Sequence, residues 1–457
     1  MKFKRIKKLH FVGVGGTGMC GIAEVLHNLG YALTGSDLKK TEVTEFLEKL
    51  GITIHYSHQA KNIGDADVVV YSSAVKQDNP ELVAAREKKL PTIPRAEMLS
   101  ELMKMKFSIA VAGTHGKTTT TSLLGHVLSA AGFDPTVIVG GRVLGVGVNA
   151  YVGKGDYLVA EADEFDRSIL RFYPTMAVIT SIESEHMECY RDLDDLYDCF
   201  VEFASRVPFY GSVIYCLDDH GLQHIRDRFS RPSISYGFSR HADLYASDLK
   251  YSADGIEYVC HNNGNTLGNV RVPLFGKHNA LNSLGVIAAA MDLEIPFGTI
   301  ISAIRTFPGV GRRMELVGER RGIRVYDDFA HHPTEIKTTL EGVRKSFSNR
   351  IVVVFQPHLY SRTRMFQKEF GSAFFDSDML IVTDVFPSRE QPIEGVTGEL
   401  VADSVARAGH KRVEYMADKS KIPGFLKDKL SSGDIVIVIG AGDINRISPI
   451  ILEEIDK

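Results

Sequence analysis

The stretch Phe107-Ser-Ile-Ala-Val-Ala112, followed at once by Gly113-Thr-His-Gly-Lys-Thr-Thr119, decides how this chain is read. An apolar run of six residues ending in a glycine turn predicts a buried strand of a parallel sheet. The following stretch, Thr119 to Ala131, predicts a helix. A strand–glycine–helix junction is where polyphosphate binds, because backbone N–H groups and a positive helix end meet there. Gly113 and Gly116 let the backbone turn and approach. Lys117 would reach the β and γ phosphates, and the Thr118 hydroxyl would ligate Mg²⁺. The Walker pattern is incomplete, since Val111 stands where its first glycine belongs.

Upstream, Leu9 to Val14 reads as a strand, Met19 to Leu29 as a helix, Tyr31 to Asp37 as a strand and Ala66 to Ser72 as another. Their junction Gly13-Val-Gly-Gly-Thr-Gly18 fits G-x-G-x-x-G, with Asp37 nineteen residues after Gly18. That pattern is a dinucleotide fingerprint with the acid on a ribose hydroxyl, so an NAD-dependent oxidoreductase is one reading. A glycine turn at a helix start reads pyrophosphate in general, however, and UDP satisfies it equally. A dehydrogenase also has no use for a second phosphate loop at Gly113.

Downstream, strands are expected at Tyr157 to Ala160 and Met176 to Ser181, antiparallel strands and hairpins from about Ala242 to Val272, and a helix from Asn279 to Met291. A third α/β unit would start near Gly318, with strands at Arg324 to Asp327, Ile351 to Phe355, Met379 to Thr383 and Ile435 to Ile439. The expected fold is therefore α/β in three domains, residues 1–106, 107–317 and 318–457. The first and last are Rossmann-like. The middle one is a P-loop ATPase with a parallel sheet plus a small antiparallel sheet.

The 457 residues suit about three domains. Hydrophobic residues make up 44% and charged ones 24%, as in soluble globular proteins. A formal charge of -4 gives no reason to expect nucleic acid or an anionic membrane as partner. Met1 to Lys8 carries five basic side chains, but no apolar run follows as a signal peptide would need, and no stretch reaches a membrane span. Five cysteines without a C-x-x-C pair suit a reducing cytoplasm.

Further chemistry is scattered. Glu161-Ala-Asp-Glu164 follows a strand and offers carboxylates to a metal, although such a motif alone is also an ordinary acidic loop. His186, in Glu183-Ser-Glu-His186, leaves another strand end. Cationic and amide candidates are Lys277-His-Asn279 with Asn282, and Gly311-Arg-Arg313.

Taken in order, the Gly113 loop, Glu161-Ala-Asp-Glu164, His278-Asn-Ala-Leu-Asn282 and Gly311-Arg-Arg313 resemble the Mur ligases. The opening His10-Phe-Val-Gly-Val-Gly-Gly-Thr-Gly-Met19, Asp327-Asp-Phe-Ala-His-His-Pro-Thr-Glu335 and Gln356-Pro-His-Leu-Tyr-Ser-Arg362 look like the branch that adds L-alanine to UDP-N-acetylmuramate. The resemblance implies ATP and Mg²⁺, an acyl phosphate intermediate, and a monomer or weak homodimer. It implies Gly113, Thr114, His115, Gly116, Lys117, Thr118 and Thr119 around the ATP phosphates. Asn279 and Asn282 would meet the adenine, Asp328 the ribose, and Arg312 or Arg313 the phosphates. Thr118 and Glu161 would hold one Mg²⁺ and His186 a second. His331, His358 and Arg362 would face the amino acid. Gly15, Gly16, Thr17, Gly18 and Met19, with Asp37, Ser72 and Ser73, would line the UDP-sugar site. Lys117, His186, His331, His358 and Arg362 form the expected catalytic set.

The chain departs from the family at three places. No lysine lies between His186 and Tyr210 to be carbamylated as a metal ligand, Leu359 follows the histidine of Gln-Pro-His where an arginine is frequent, and Phe329 replaces a frequent tyrosine. The last two remove polar groups near the expected amino-acid pocket. A recycling ligase that attaches a tripeptide to the same sugar shares the Asp-Asp-Phe-Ala-His-His-Pro element. It is the near alternative; a non-catalytic nucleotide sensor is a remote one.

Overall fold

A computed structural model describes residues 3, 5–140, 150–184, 187, 189–388 and 390–456. The β-branched and apolar runs form three sheets. The first has five parallel strands in the order Thr53–His55, Ala32–Ser36, Lys8–Val12, Val68–Tyr71, Thr92–Pro94. This 3-2-1-4-5 order is the doubly wound one, with its reversal point beside Lys8–Val12, where ligands bind beyond the strand ends. That strand stops two residues short of the expected Val14. Gly13 and Val14 both turn their N–H groups onto the Ser36 carbonyl, at 2.9 and 3.0 Å, and so start the glycine turn.

Among the described residues the second sheet has ten strands. At its centre Phe107–Ala112 pairs in parallel with Met176–Ile179 on one side and Tyr157–Ala162 on the other. The strands expected within residues 242–272 are Leu244–Ser252, Gly255–Asn262 and Asn265–Val272. They follow one another along one edge, joined by two-residue loops of the kind that link antiparallel strands. They extend the parallel sheet, because Leu244 and Tyr245 pair with Tyr236 and Gly237. The third sheet is parallel except for its edge strand Glu315–Arg320, which runs antiparallel to Ile323–Asp328. That edge strand straddles the expected boundary at 317/318.

By proximity along the backbone the chain gathers into two compact units. One comprises Met1–Ser247, Val259–Val270 and Leu281–Pro308, and holds the first sheet and the centre of the second. The other comprises Asp248–Tyr258, Arg271–Ala280 and Gly309–Lys457. Its core is two apolar layers, one on each face of the third sheet, including Ile336, Leu340, Val353 and Phe355 on one side and Val352, Val354, Ile447 and Ile451 on the other. No helix among the described residues is long and apolar enough to cross a membrane. All five cysteines are unbridged, and burial pushes the thiols of Cys20, Cys216 and Cys260 up to about 12, as expected of packing side chains.

A charged cluster lies under the first glycine turn. Glu81 is fully buried, and its carboxylate accepts from Ser36 Oγ at 2.5 Å, Asn62 Nδ2 at 2.6 Å and His58 Nδ1 at 3.2 Å, with His10 Nε2 at 3.7 Å. Burial alone would raise this carboxyl, but the bonds from His10, Ser36 and Asn62 outweigh it and hold it down from 4.5 to about 2. A depressed acid stabilises the fold above its unfolded value, and that stability is lost as pH falls from about 4.5 towards 2. Glu81→Gln should therefore unfold at lower urea than the parent at pH 7, with a deficit of about 3 kcal/mol that shrinks by pH 3. An equal deficit at both pH values would contradict the charged cluster.

Candidate functional site

The junction after Phe107–Ala112 has the expected form, with the helix spanning Lys117–Ala130. Gly113 sits at φ +126°, and a side chain there would collide with Thr180 and the Ser181 backbone. Gly116, at φ +81°, is the helix N-cap, and a Cβ on it would come within 2.5 Å of Asn282 Oδ1. Both glycines are thus required by backbone conformation and by close approach.

The loop is fastened to the segment after Met176–Ile179. Thr114 N–H donates to Ser181 O (2.9 Å), His115 N–H to Ser181 Oγ (3.1 Å), and Glu183 N–H to Thr114 Oγ1 (2.8 Å). The backbone cradle expected of residues 113–119 is correspondingly narrower. Thr114 and His115 spend their amides on this fastening. The helix opens at Lys117 behind the Gly116 N-cap, and a helix start presents its first-turn N–H groups towards the loop. Lys117 Nζ lies 2.6 Å from Gly113 O, 3.3 Å from Thr114 O, and 3.0 and 3.2 Å from the Glu164 carboxylate.

A cleft of about 260 Å³ in the first unit gathers residues that follow strands of the first and second sheets. Gly16, Gly18, Met19 and Ser72, all expected at the UDP-sugar site, face Glu161 and Asp163 across it. Glu161 Oε1 accepts the Gly140 N–H at 2.9 Å, which orients the carboxylate. Carboxylate oxygens at a strand end are the hard donors that Mg²⁺ takes, so the residues fit that ion. Gly15, Asp37 and Ser73 do not line the cleft. Asp37 Oδ2 accepts the Gly15 N–H at 2.9 Å, which holds this acid against the glycine turn. The Thr17 side chain and His186 lie outside the described residues.

In the second unit three expected residues converge. The His331 and His358 rings are 5.9 Å apart, and Arg362 Nη1 lies 3.2 Å from His358 Nδ1. His358 stacks on Phe386, while His331 Nδ1 sits 3.0 Å from the Phe329 carbonyl. Leu359, between His358 and the helix Tyr360–Met365, has φ +70°, a conformation that costs a non-glycine residue about 1–3 kcal/mol. Phe329 is flanked by two guanidiniums, Arg312 at 4.9 Å and Arg313 at 5.5 Å. Arg312 is also bound to Asp327 and to the Gly440 carbonyl. Asp328, expected on the ATP ribose, is buried and accepts from Ala330 N–H and Met314 N–H, so it shapes its own loop. Burial raises its carboxyl above the ordinary range. Asn279 Nδ2 donates to the Phe275 carbonyl at 2.7 Å, whereas Asn282 abuts the phosphate loop.

Three family models match in order along the chain: the Mur ligase family catalytic domain over residues 8–107, the Mur ligase middle domain over 111–290, and the Mur ligase glutamate ligase domain over 312–442. The chain is a Mur ligase.

Among curated proteins, the UDP-N-acetylmuramate–L-alanine ligases of Geotalea uraniireducens and of Geobacter sp. strain M21 are 48% and 49% identical to this Mur ligase. They are matched over 99% and 98% of both chains respectively. Among solved structures, the UDP-N-acetylmuramate-alanine ligase of Thermotoga maritima aligns with a TM-score of 0.84 at 30% identity, covering 98% of this chain and 99% of that one. A murein peptide ligase of Psychrobacter arcticus aligns with a TM-score of 0.72 at 26% identity, covering 98% of both.

Sequence reasoning passed over several groups that the fold of this Mur ligase brings to the cleft. Arg95 opens the helix Arg95–Met103 and lines the cleft beside Gly18. Leu99, Ile138 and Val139 line it as well, and Gly140 orients Glu161. A basic residue at a helix start after Ile93-Pro94 was visible in the sequence, but nothing in it tied Arg95 to a glycine turn so far upstream.

Proposed function

We infer that this Mur ligase forms an amide between the lactyl carboxylate of UDP-N-acetylmuramate and L-alanine, converting ATP to ADP and phosphate. The observation that carries the reading is the shared cleft. The glycine turn suited to the UDP pyrophosphate opens onto Glu161, at the strand end beside the phosphate loop, so a sugar carboxylate can meet a γ-phosphate. The alanine ligases matched over nearly their full length support the amine, and the weaker likeness to a murein peptide ligase supports the tripeptide less.

A carboxylate is a poor electrophile until one oxygen becomes a leaving group. Its oxygen attacks the γ-phosphorus, ADP departs, and the acyl phosphate forms. The neutral amine of alanine then adds to the acyl carbon, and phosphate leaves from the tetrahedral intermediate. Lys117 and the first-turn amides neutralise charge on the moving phosphoryl oxygens, where preorganised donors matter most. Thr118 and Glu161 would hold Mg²⁺, which supplies charge neutralisation across the phosphates. Asn282 meets the nucleotide at the loop, and Arg95 and Ser72 contact the UDP-sugar. His331 and His358 position the amine and Arg362 grips the alanine carboxylate. We assign residues 1–106 to the sugar nucleotide, 107–317 to ATP and 318–457 to the amino acid. Nucleotide substrates of this kind support a cytoplasmic location.

Ligand-induced stabilisation separates this reading from the dehydrogenase one. UDP-N-acetylmuramate at 100 times its Kd should stabilise the fold by about 2.7 kcal/mol, raising Tm, while NAD at the same concentration leaves it unchanged. A larger shift from NAD than from the UDP-sugar would overturn the assignment.

A further inference from the structure

The acidic motif ends in a buried carboxylate that the scheme above does not use. Glu164 is 1% exposed, and both its oxygens face Lys117 Nζ, at 3.0 and 3.2 Å. The segment carrying it is unusually constrained. Asp166 and Arg167, two and three residues after it, sit at φ 56° and 54°, a left-handed pair that side chains rarely adopt. The Tyr190 hydroxyl donates to the Glu164 carbonyl at 2.5 Å, and Arg167 N–H to the same oxygen at 3.0 Å. The Arg167 guanidinium lies over the Tyr190 ring at 5.2 Å and pairs with Asp195 at the start of the helix Leu193–Ser205. Strain of this order persists only where surrounding contacts impose it.

We propose that Glu164 is a positioning residue for phosphoryl transfer: it fixes the direction from which the Lys117 ammonium meets the nucleotide phosphates, and Tyr190 with Arg167 fixes Glu164. This rests on the reading of the Gly113 loop as the ATP site. An ammonium has three hydrogens, and four oxygens of the loop and of Glu164 surround this one. An arriving phosphate must displace some of them. Releasing a neutral carbonyl costs far less than stranding a desolvated carboxylate, so the Gly113 and Thr114 carbonyls are exchanged and Glu164 is kept. Burial already pushes the Glu164 carboxyl upward, with Lys117 as the main opposing influence, consistent with an acid that depends on this one cation. The retained ion pair leaves the ammonium a narrow range of orientations, and its net charge toward the phosphates is tempered.

The test is a double-mutant cycle of Glu164→Gln and Lys117→Ala on the full-length enzyme, read by phosphate release and by the calorimetric Kd for ADP. Glu164→Gln in the parent should lower kcat about tenfold or more, on the scale of removing an orienting partner, without weakening ADP. In the Lys117→Ala background the same change should alter kcat less than twofold, because Glu164 acts only through that lysine. Glu164→Asp, which keeps the charge on a shorter arm, should turn over faster than the glutamine variant. Parental turnover in Glu164→Gln, an undiminished loss in the Lys117→Ala background, or Glu164→Asp no faster than Glu164→Gln would each overturn the proposal. If Lys117→Ala itself keeps parental turnover, the site reading fails, a result distinct from failure at Glu164 alone.

Discussion

Lys117→Ala is expected to lose about 10³-fold or more in kcat while folding normally, the scale of removing one preorganised charge-stabilising group. The size follows from what phosphoryl transfer demands. Charge moves onto oxygens that no covalent chemistry of the protein can relieve, so cations and N–H donors at the loop carry the catalysis. Two of the loop's amides, on Thr114 and His115, are committed to the neighbouring strand end, which concentrates the remaining task on Lys117 and the helix start. Loss of the lysine should fall on kcat more than on KM for alanine, whose expected site is in the C-terminal residues. Circular dichroism and the urea midpoint establish that the variant is folded, and near-parental turnover in a folded variant would remove the loop from the mechanism.

Arg362→Ala should cost about 2–4 kcal/mol in kcat/KM for L-alanine, roughly 30- to 1000-fold, with KM for ATP and for the UDP-sugar unchanged. A guanidinium grips a carboxylate by two parallel bonds, and no other side chain in the His331–His358–Arg362 cluster offers that fork. The strained backbone at Leu359 aims both neighbours, His358 before it and the helix bearing Arg362 after it. Initial rates against alanine concentration at saturating ATP and UDP-N-acetylmuramate provide the check. A KM for alanine within twofold of the parent would mean that the carboxylate is held elsewhere.

The parts of this molecule that were legible in advance are those written in local pattern. Phe107–Ala112 was expected and found with the same bounds, since six apolar residues before a glycine admit little else. The helix after it begins at Lys117 rather than Thr119, because Gly116 in the left-handed region ends the loop earlier than the threonine run suggests. His331, His358 and Arg362 meet as their motifs imply. Asp37 and Asp328 illustrate the limit: each is an acid at a strand end, and only the folded loop shows that its oxygens serve nearby amides. Glu164 and Lys117 are 47 residues apart, and Glu81 and His10 come from different elements, so these pairs exist only through tertiary packing. Arg95 was hidden for the same reason.

The most direct measurement is a competition for one acyl phosphate. L-alanine and L-Ala-γ-D-Glu-diaminopimelate are supplied at equal concentration with UDP-N-acetylmuramate and Mg²⁺-ATP, and the products are resolved by mass. One added methylene changes binding in an apolar pocket by only about 1–3 kcal/mol, so glycine and L-serine can serve as slow substrates. A tripeptide differs in kind, because its bulk needs an open channel and its carboxylates extend past Arg362. The alanyl product should predominate, and predominance of the tripeptide product would contradict the assignment.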